Sequence, residues 1–189
     1  TEVAARQTVT ESGTVCLLPA KRELAGDEVE LVDLPNREGR LKAALASVEA
    51  DYDFILLDCP PSLSLLTING LVAAREVLIP MQCEYYALEG LSDLVGAIKR
   101  VRANLNPVLE IGGLLRTMYD PRNTLSQQVY AQLEQHFGNK VFKTLVPRNL
   151  PLAEAPSYGC PAVASRRATK GAPPYPPLAD ASLPPAAGA

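Results

Sequence analysis

The chain has 189 residues, of which 47% are hydrophobic and 21% charged, a composition typical of one globular domain. No apolar run approaches the roughly 18 residues that a membrane span needs, so we expect a soluble protein. The first residues contain neither an initiator Met nor a secretory signal, and we therefore expect a cytoplasmic protein whose natural sequence starts upstream of Thr1.

Cysteine usage indicates neither a disulfide framework nor a zinc site. The four cysteines are far apart, without a C-x-x-C pair, and the single histidine is His136. We expect free, mostly buried thiols. Cys59 follows Asp58 directly, but no histidine lies near it in the sequence, and a packing role is favoured over a nucleophilic one.

Charge is distributed unevenly along the chain. Residues 1–95 hold 7 basic and 16 acidic residues, a net charge of −9, whereas residues 96–189 hold 11 and 5, a net charge of +6. Two interpretations stay open: the basic half has an anionic partner, or the chain has two solvated faces of unequal charge.

Short apolar segments alternate with longer segments of helical periodicity, which predicts a mainly parallel sheet flanked by helices. We expect a strand over residues 14–18, ended by Pro19, and helical structure over residues 24–50 with a break at 34–36. Residues 54–57 are continuously apolar, which predicts a central strand buried on both faces.

The same alternation continues in the second half. We predict helices over residues 62–74, 88–104 and 123–137, and strands over residues 76–80, 110–117 and 140–146. This order indicates two or three successive βαβ units. The longest helix has one apolar stripe that should face the sheet: Leu91, Leu94, Val95, Ile98, Val101 and Leu105. Residues 173–189 contain six prolines and predict an extended or disordered tail.

Asp58 is the first candidate functional residue. It follows the apolar run 54–57 and so belongs at the carboxyl end of the predicted sheet, where open α/β folds bind ligands. A carboxylate there can hold Mg²⁺ directly or through water, because this hard cation prefers oxygen ligands. The alternative is that Asp58 only caps the helix that follows it.

Asp58 begins the first of four segments that follow one another in a characteristic order: residues 58–71 (DCPPSLSLLTINGL), 81–91 (MQCEYYALEGL), 115–125 (LRTMYDPRNTL) and 146–159 (VPRNLPLAEAPSYG). Together they closely resemble the ParA/Soj family of chromosome- and plasmid-partitioning ATPases, over roughly residues 14–172. The resemblance implies the C-terminal part of a P-loop NTPase domain of the deviant Walker type, spanning residues 1–172.

The same resemblance implies the site residues and partners. Asp58 matches the Walker B carboxylate, which is both the catalytic and the magnesium-binding position. Thr117 and Met118 match the end of the strand on the base-binding side, and Pro147, Arg148 and Asn149 match the loop that packs against adenine. Family members use ATP and Mg²⁺, form homodimers, bind DNA without sequence preference and act with a centromere-binding ParB partner, without a membrane. Pro147 as a strand end and Asn149 as a helix cap remain the structural alternatives.

Two departures from the family pattern affect the expected activity. No Gly-x-Gly or Gly-Lys-Thr sequence occurs in the chain, although such a loop normally cradles the phosphates. We therefore expect that this chain neither binds ATP tightly nor hydrolyses it. Residues 165–172 keep a basic loop, but prolines fill the segment where the family's closing helix is expected. A fragment, a degraded copy and a sequence error are all compatible with this.

Basic residues of the second half are the candidates for DNA binding, since non-specific binding needs Lys and Arg on one face. They are Lys99, Arg100, Arg102, Lys140, Lys143, Arg166, Arg167 and Lys170. Lys99 and Arg102 fit the solvated back of their helix equally well. The leading hypothesis is a cytoplasmic, nucleoid-associated partitioning ATPase. The alternatives are a MinD-like ATPase acting at a membrane and a non-catalytic remnant that binds DNA or a partner.

Overall fold

The structure, a computed structural model, describes residues 16–18 and 28–148. The chain divides into two compact units, which are residues 1–75 with 97–109 and residues 76–96 with 110–189. Each unit has its own buried apolar residues.

The regular structure in the described part of the first unit is helical, whereas residues 16–18 and 52–64 lie in no helix or strand. Residues 28–31 form a helical turn, helix α1 spans Arg40–Leu45 and helix α2 spans Leu65–Ala73, with short 3₁₀ turns at Arg37–Gly39 and Glu49–Asp51. Its buried apolar residues are Leu71, Val72, Ala97, Ile98, Val101 and Leu109. The break predicted at residues 34–36 is confirmed, because these residues separate the helical turn from α1.

The second unit contains a three-stranded parallel sheet in the order β1-β2-β3. The strands are β1 (Glu76–Gln82), β2 (Glu110–Tyr119) and β3 (Val141–Pro147). Helix α3 (Tyr85–Asn104) connects β1 to β2, and α4 (Thr124–Phe137) connects β2 to β3. The described residues of this unit therefore contain two successive βαβ units, and the predicted α/β fold with a parallel sheet is confirmed.

Helix α3 follows the predicted apolar stripe closely but not completely. Leu91, Ile98 and Val101 are buried, whereas Leu105 is 44% exposed. The helix ends before Leu105, where the amides of Leu105 and Asn106 both donate to the Val101 carbonyl. A residue beyond the last helical turn no longer follows the 100° spacing, so the stripe ends at Val101.

The predicted central strand over residues 54–57 is wrong. These residues belong to no strand, and Phe54, Ile55 and Leu56 are exposed by 39%, 37% and 84%. Strand structure requires a hydrogen-bonded neighbour, and among the described residues the only paired strands are β1, β2 and β3. A run of apolar residues indicates that burial would be favourable, but a strand also needs a second backbone segment as its hydrogen-bonding partner, and the run does not provide one.

Two smaller expectations also fail. Residues 16–18, the described part of the predicted strand over 14–18, are not in a strand. The thiols are free, as predicted, but of the three described only Cys83 is buried, while Cys16 is half-buried and Cys59 exposed. Cys160 lies outside the described residues, as does the Pro-rich segment 173–189.

Candidate functional site

Asp58 lies in the first unit, within residues 52–64, which precede α2 and belong to no helix or strand. Its side chain is exposed, and it has no hydrogen-bond or ion-pair partner within residues 16–18 and 28–148. An exposed carboxylate without such a partner keeps its oxygens available for a cation or for water.

Asp58 does not cap the helix that follows it. The amide of Leu65, at the start of α2, donates to Glu28 Oε1 at 2.7 Å, and the amide of Thr67 donates to Ser64 Oγ at 3.5 Å. Ser64 is thus the N-cap residue, and the carboxylate that serves this positive helix end comes from Glu28. The alternative that reduced Asp58 to a helix cap is therefore wrong.

Cys59 fits a packing role better than a nucleophilic one. Although Cys59 is exposed as a residue, the partial burial of its thiol raises the thiol pKa, and the neighbouring Asp58 charge raises it further. The thiolate is the reactive form of cysteine, so both effects reduce nucleophilicity at neutral pH. Gly70 of α2 provides the space for this thiol, because a Cβ on Gly70 would lie 2.8 Å from Cys59 Sγ.

Asp58 is the residue to which the sequence analysis assigned a magnesium ion. No group of three His, Cys, Asp or Glu residues is arranged for a metal within the described ranges. Zinc usually takes three or four such ligands. Magnesium is commonly held by one or two carboxylates together with substrate phosphates and waters. A single exposed Asp58 carboxylate fits that second pattern.

The base-side residues lie in the second unit, where β2 and β3 end side by side. Tyr119 is paired with Pro147, and the Arg148 amide donates to the Tyr119 carbonyl at 3.3 Å. Thr117 pairs on the other side with Gln82 of β1. The carboxyl ends of all three strands therefore meet at one edge of the sheet, the edge at which open α/β sheets bind ligands.

Met118 has an unusual backbone conformation at this edge. Its φ is +50°, a value that is uncommon for residues other than glycine, and its side chain is 48% exposed. Strained backbone of this kind concentrates at functional sites. Of the predicted base-side residues, the structure thus brings Thr117, Met118, Pro147 and Arg148 together, and Asn149 lies outside the described residues.

The loop after β2 carries a pair of charges that the sequence analysis did not single out. Arg122 donates to both carboxylate oxygens of Asp120, at 3.0 and 2.8 Å, and its amide donates to Asp120 Oδ1 at 3.0 Å. The Arg122 side-chain bond is the main reason why the pKa of Asp120 falls from 3.8 to about 2. The Asp-Pro-Arg-Asn composition signals such a turn, although not the ion pair.

The candidate DNA-binding residues that the structure describes are all exposed: Lys99, Arg100 and Arg102 on α3, Lys140 in a 3₁₀ turn, and Lys143 on β3. Lys99, Arg100 and Arg102 alternate with the buried residues Ile98 and Val101, so they form the solvent face of the helix. Arg166, Arg167 and Lys170 lie outside the described residues. No helix within the described ranges is long and apolar enough to cross a membrane.

Comparisons with known proteins agree with the fold and the motifs. A family model described as an AAA domain matches residues 1–111. The chain is 57% identical over 144 residues to the chromosome-partitioning ATPase Soj of Treponema pallidum, covering 76% of this chain and 57% of that protein. It is 49% identical over 166 residues to the chromosome partitioning protein ParA of Myxococcus xanthus, covering 88% and 59%.

A solved structure has a similar fold. Cobyrinic acid a,c-diamide synthase from Mycobacterium smegmatis, with bound ADP and magnesium, superposes with a TM-score of 0.71 at 40% identity, covering 79% of this chain and 60% of that one. The chain thus spans about three fifths of the length of the relatives that it matches. Since the family match extends over more than half of its residues, the chain belongs to the ParA/Soj family of deviant Walker P-loop ATPases.

Proposed function

We propose that this chain provides the magnesium carboxylate and the base side of the nucleotide site in a DNA-partitioning ATPase of the ParA/Soj type. In this proposal Asp58 binds Mg²⁺, which would neutralise charge on the phosphates when bound. Thr117, Met118, Pro147 and Arg148, with Asn149, contact the base.

The observation that carries the proposal is the common edge formed by the ends of β2 and β3. The pairing of Tyr119 with Pro147 and the hydrogen bond from the Arg148 amide to the Tyr119 carbonyl hold the ends of these two strands together. Met118 adds an exposed, polarisable side chain, and such a side chain adapts well to a flat apolar surface such as a purine. Such a side chain suits the flat face of a base better than it suits a hard metal ion, which prefers oxygen ligands.

The two methionines of the chain provide a direct test. Met118 lies at the proposed base site, whereas Met81 is buried in β1 at 7% exposure. In a chain labelled with ¹³C-methyl methionine, Mg-ATP should shift the Met118 signal and leave the Met81 signal in place. Inorganic triphosphate, which has no base, should shift neither. A Met118 signal that does not move at millimolar ATP would refute the base site, and Met118→Leu assigns the signal.

Asp58 is tested through turnover. Because the printed sequence contains no Gly-rich phosphate loop, we expect weak ATP binding and no hydrolysis by this chain itself. Joining it to the upstream part of Treponema pallidum Soj should restore Mg²⁺-dependent hydrolysis. Asp58→Ala should then abolish turnover, whereas Asp53→Ala, at an exposed position of the same segment, should retain it. Equal turnover in both variants would show that Asp58 does not bind the magnesium ion.

The partitioning role would also require dimerisation, a ParB-type partner and non-specific DNA binding. The exposed Lys140 and Lys143 are the described basic residues of the second unit that we assign to DNA. Replacing both lysines by Glu should weaken binding to duplex DNA of any sequence. The negative slope of log K against log salt should also become shallower, by about one for each phosphate that the protein no longer neutralises. Lys42→Glu, on the exposed face of α1, is the control. Binding to anionic vesicles but not to DNA would instead favour the MinD-like alternative.

A further inference from the structure

A buried arginine lies within the otherwise apolar part of β2. Arg116 is 5% exposed and follows Leu114 and Leu115, which are 0% and 4% exposed. Burying a guanidinium is costly unless its charge is compensated and its donors are bonded. Within the described ranges no carboxylate forms an ion pair with Arg116, and its Nε has no hydrogen-bond partner. The contacts that Arg116 makes within these ranges are of a different kind.

Those contacts are two backbone carbonyls and two aromatic rings. Arg116 Nη2 donates to the carbonyls of Phe142 and Lys143 in β3, at 3.3 and 3.0 Å. The guanidinium carbon lies 3.9 Å from the ring centroid of Tyr130 and 5.4 Å from that of Tyr119. Aromatic faces attract a desolvated cation, so the two rings partly compensate the buried charge.

The two carbonyls belong to a stretch where the ladder between β2 and β3 is irregular. Leu114 is paired with Val141, but Arg116, two residues later, is paired with Leu145, four residues later. The extra residues of β3 interrupt the regular ladder, and we call this irregular stretch, residues 142–144, the bulge. Carbonyls in such a stretch can lose their regular ladder donors. The Arg116 side chain supplies a donor to two of them.

The position of this bulge determines where β3 ends relative to β2. The register shifts again between Arg116 and Tyr119, which is paired with Pro147. Met118, with its φ of +50°, lies within this second shift. Any change in the bulge would move Pro147 and Arg148 along β2. The geometry therefore connects the Arg116 side chain to the edge that holds the base-side residues.

We infer that Arg116 is a positioning residue that fixes the bulge of β3 and thereby sets the placement of Pro147 and Arg148 for nucleotide binding. This inference rests on the proposed function for its role in nucleotide binding, but the effect on β3 is independent of it. Tyr130 contributes by stacking on the guanidinium.

Amide exchange tests the structural step in this chain without nucleotide. Arg116→Lys keeps the charge but loses the planar fork and the stacking, and Arg116→Met keeps the length without charge. In both variants the Arg148 amide, which donates to the Tyr119 carbonyl, should exchange about tenfold faster, equivalent to about 1.4 kcal/mol. Amides of β1 should not change. Arg75→Met, at an exposed arginine paired with Glu49, is the matched control.

Milder variants keep the test decisive if Arg116 variants do not fold. Tyr130→Leu removes the stacking ring and should accelerate exchange at Arg148 to a smaller extent. Tyr130→Phe keeps the ring and loses only the hydroxyl bond to Glu134, so it should match the wild-type protein. The inference would be overturned if the Arg148 amide exchanged at the wild-type rate in Arg116→Lys, Arg116→Met and Tyr130→Leu. It would also be overturned if amide exchange became faster by the same factor in all three strands.

The nucleotide step is measured separately through the Met118 methyl signal. In Arg116→Lys and Arg116→Met, half-saturation by ATP should require about tenfold more nucleotide, a change worth about 1.4 kcal/mol. Arg75→Met should titrate like the wild-type chain. If ATP does not shift the Met118 signal of the wild-type chain, the proposed base site is wrong. The amide-exchange result would still decide whether Arg116 positions β3. If ATP binds the Arg116 variants as tightly as it binds the wild-type chain, the inferred role in nucleotide binding fails.

Discussion

Asn69 connects α2 to the turn before α1, and its replacement should destabilise the first unit. Asn69 is 4% exposed. Its Nδ2 donates to the carbonyls of Arg37 and Leu65, at 2.8 and 3.0 Å, and its Oδ1 accepts from the Leu41 amide at 3.1 Å. In Asn69→Ala the Arg37 carbonyl and the Leu41 amide would lose these partners.

The magnitude follows from those two groups. An unsatisfied buried polar group costs about 1–3 kcal/mol. Arg37 is exposed and Leu41 half-buried, so water can reach part of this site, and the lower end of the range applies to each group. We therefore expect a loss of about 2–3 kcal/mol in the free energy of unfolding.

Urea unfolding of the chain, followed by circular dichroism, measures this loss. The matched control is Asn104→Ala, at an exposed asparagine. Within the described ranges, the side chain of Asn104 bonds only to the Arg100 carbonyl of the same helix, so this substitution should cost less than about 1 kcal/mol. If Asn69→Ala cost no more than Asn104→Ala, the view that Asn69 bridges two elements would be refuted.

Three further predictions concern the second unit. Gly113→Ala should destabilise by about 1–3 kcal/mol in thermal unfolding, because its Cβ would overlap the ring of Phe142. Gly90→Ala, in a helix with open space around it, should instead stabilise by about 0.5–1 kcal/mol. Leu114→Ala, at a fully buried position, should cost about 2–5 kcal/mol in urea unfolding, and a loss below about 1 kcal/mol would contradict its place in the core. The Asp120 carboxyl has a pKa lowered from 3.8 to about 2 in the folded chain, so its contribution to stability is complete above pH 4 and is lost as the pH falls to 2. The difference in Tm between the wild type and Asp120→Asn should therefore shrink over that interval. A difference in Tm that stays constant would contradict this prediction.

The alternation of helices and strands from residue 76 to residue 147 was predictable from the sequence. Each element there has a local cause, such as the apolar spacing of α3 or the Asn123 side chain that accepts from the Leu125 amide at the start of α4. The motifs that indicated the family are local as well. For these reasons the order of the βαβ units and the family assignment needed no tertiary information.

Residues 54–57 show the limit of such patterns. Their apolar run predicts burial, but strand formation depends on a second backbone segment, and the run contains no information about that partner. A comparable limit applies to Arg116. A single charge inside an apolar strand signals a special role, but the signal does not reveal which carbonyls it bonds.

The sequence by itself determined the fold class, the family and the segments in which Asp58, Thr117, Met118 and Pro147 lie. Only the tertiary structure decided which hydrogen-bond partners and which strand register these segments have. Glu28 and Ser64, rather than Asp58, serve the start of α2, and bulges between β2 and β3 set the register at the base-side edge. These features depend on hydrogen bonds between residues far apart in the chain, such as the 37 positions that separate Glu28 from Leu65, and hydrophobic periodicity contains no record of such pairings.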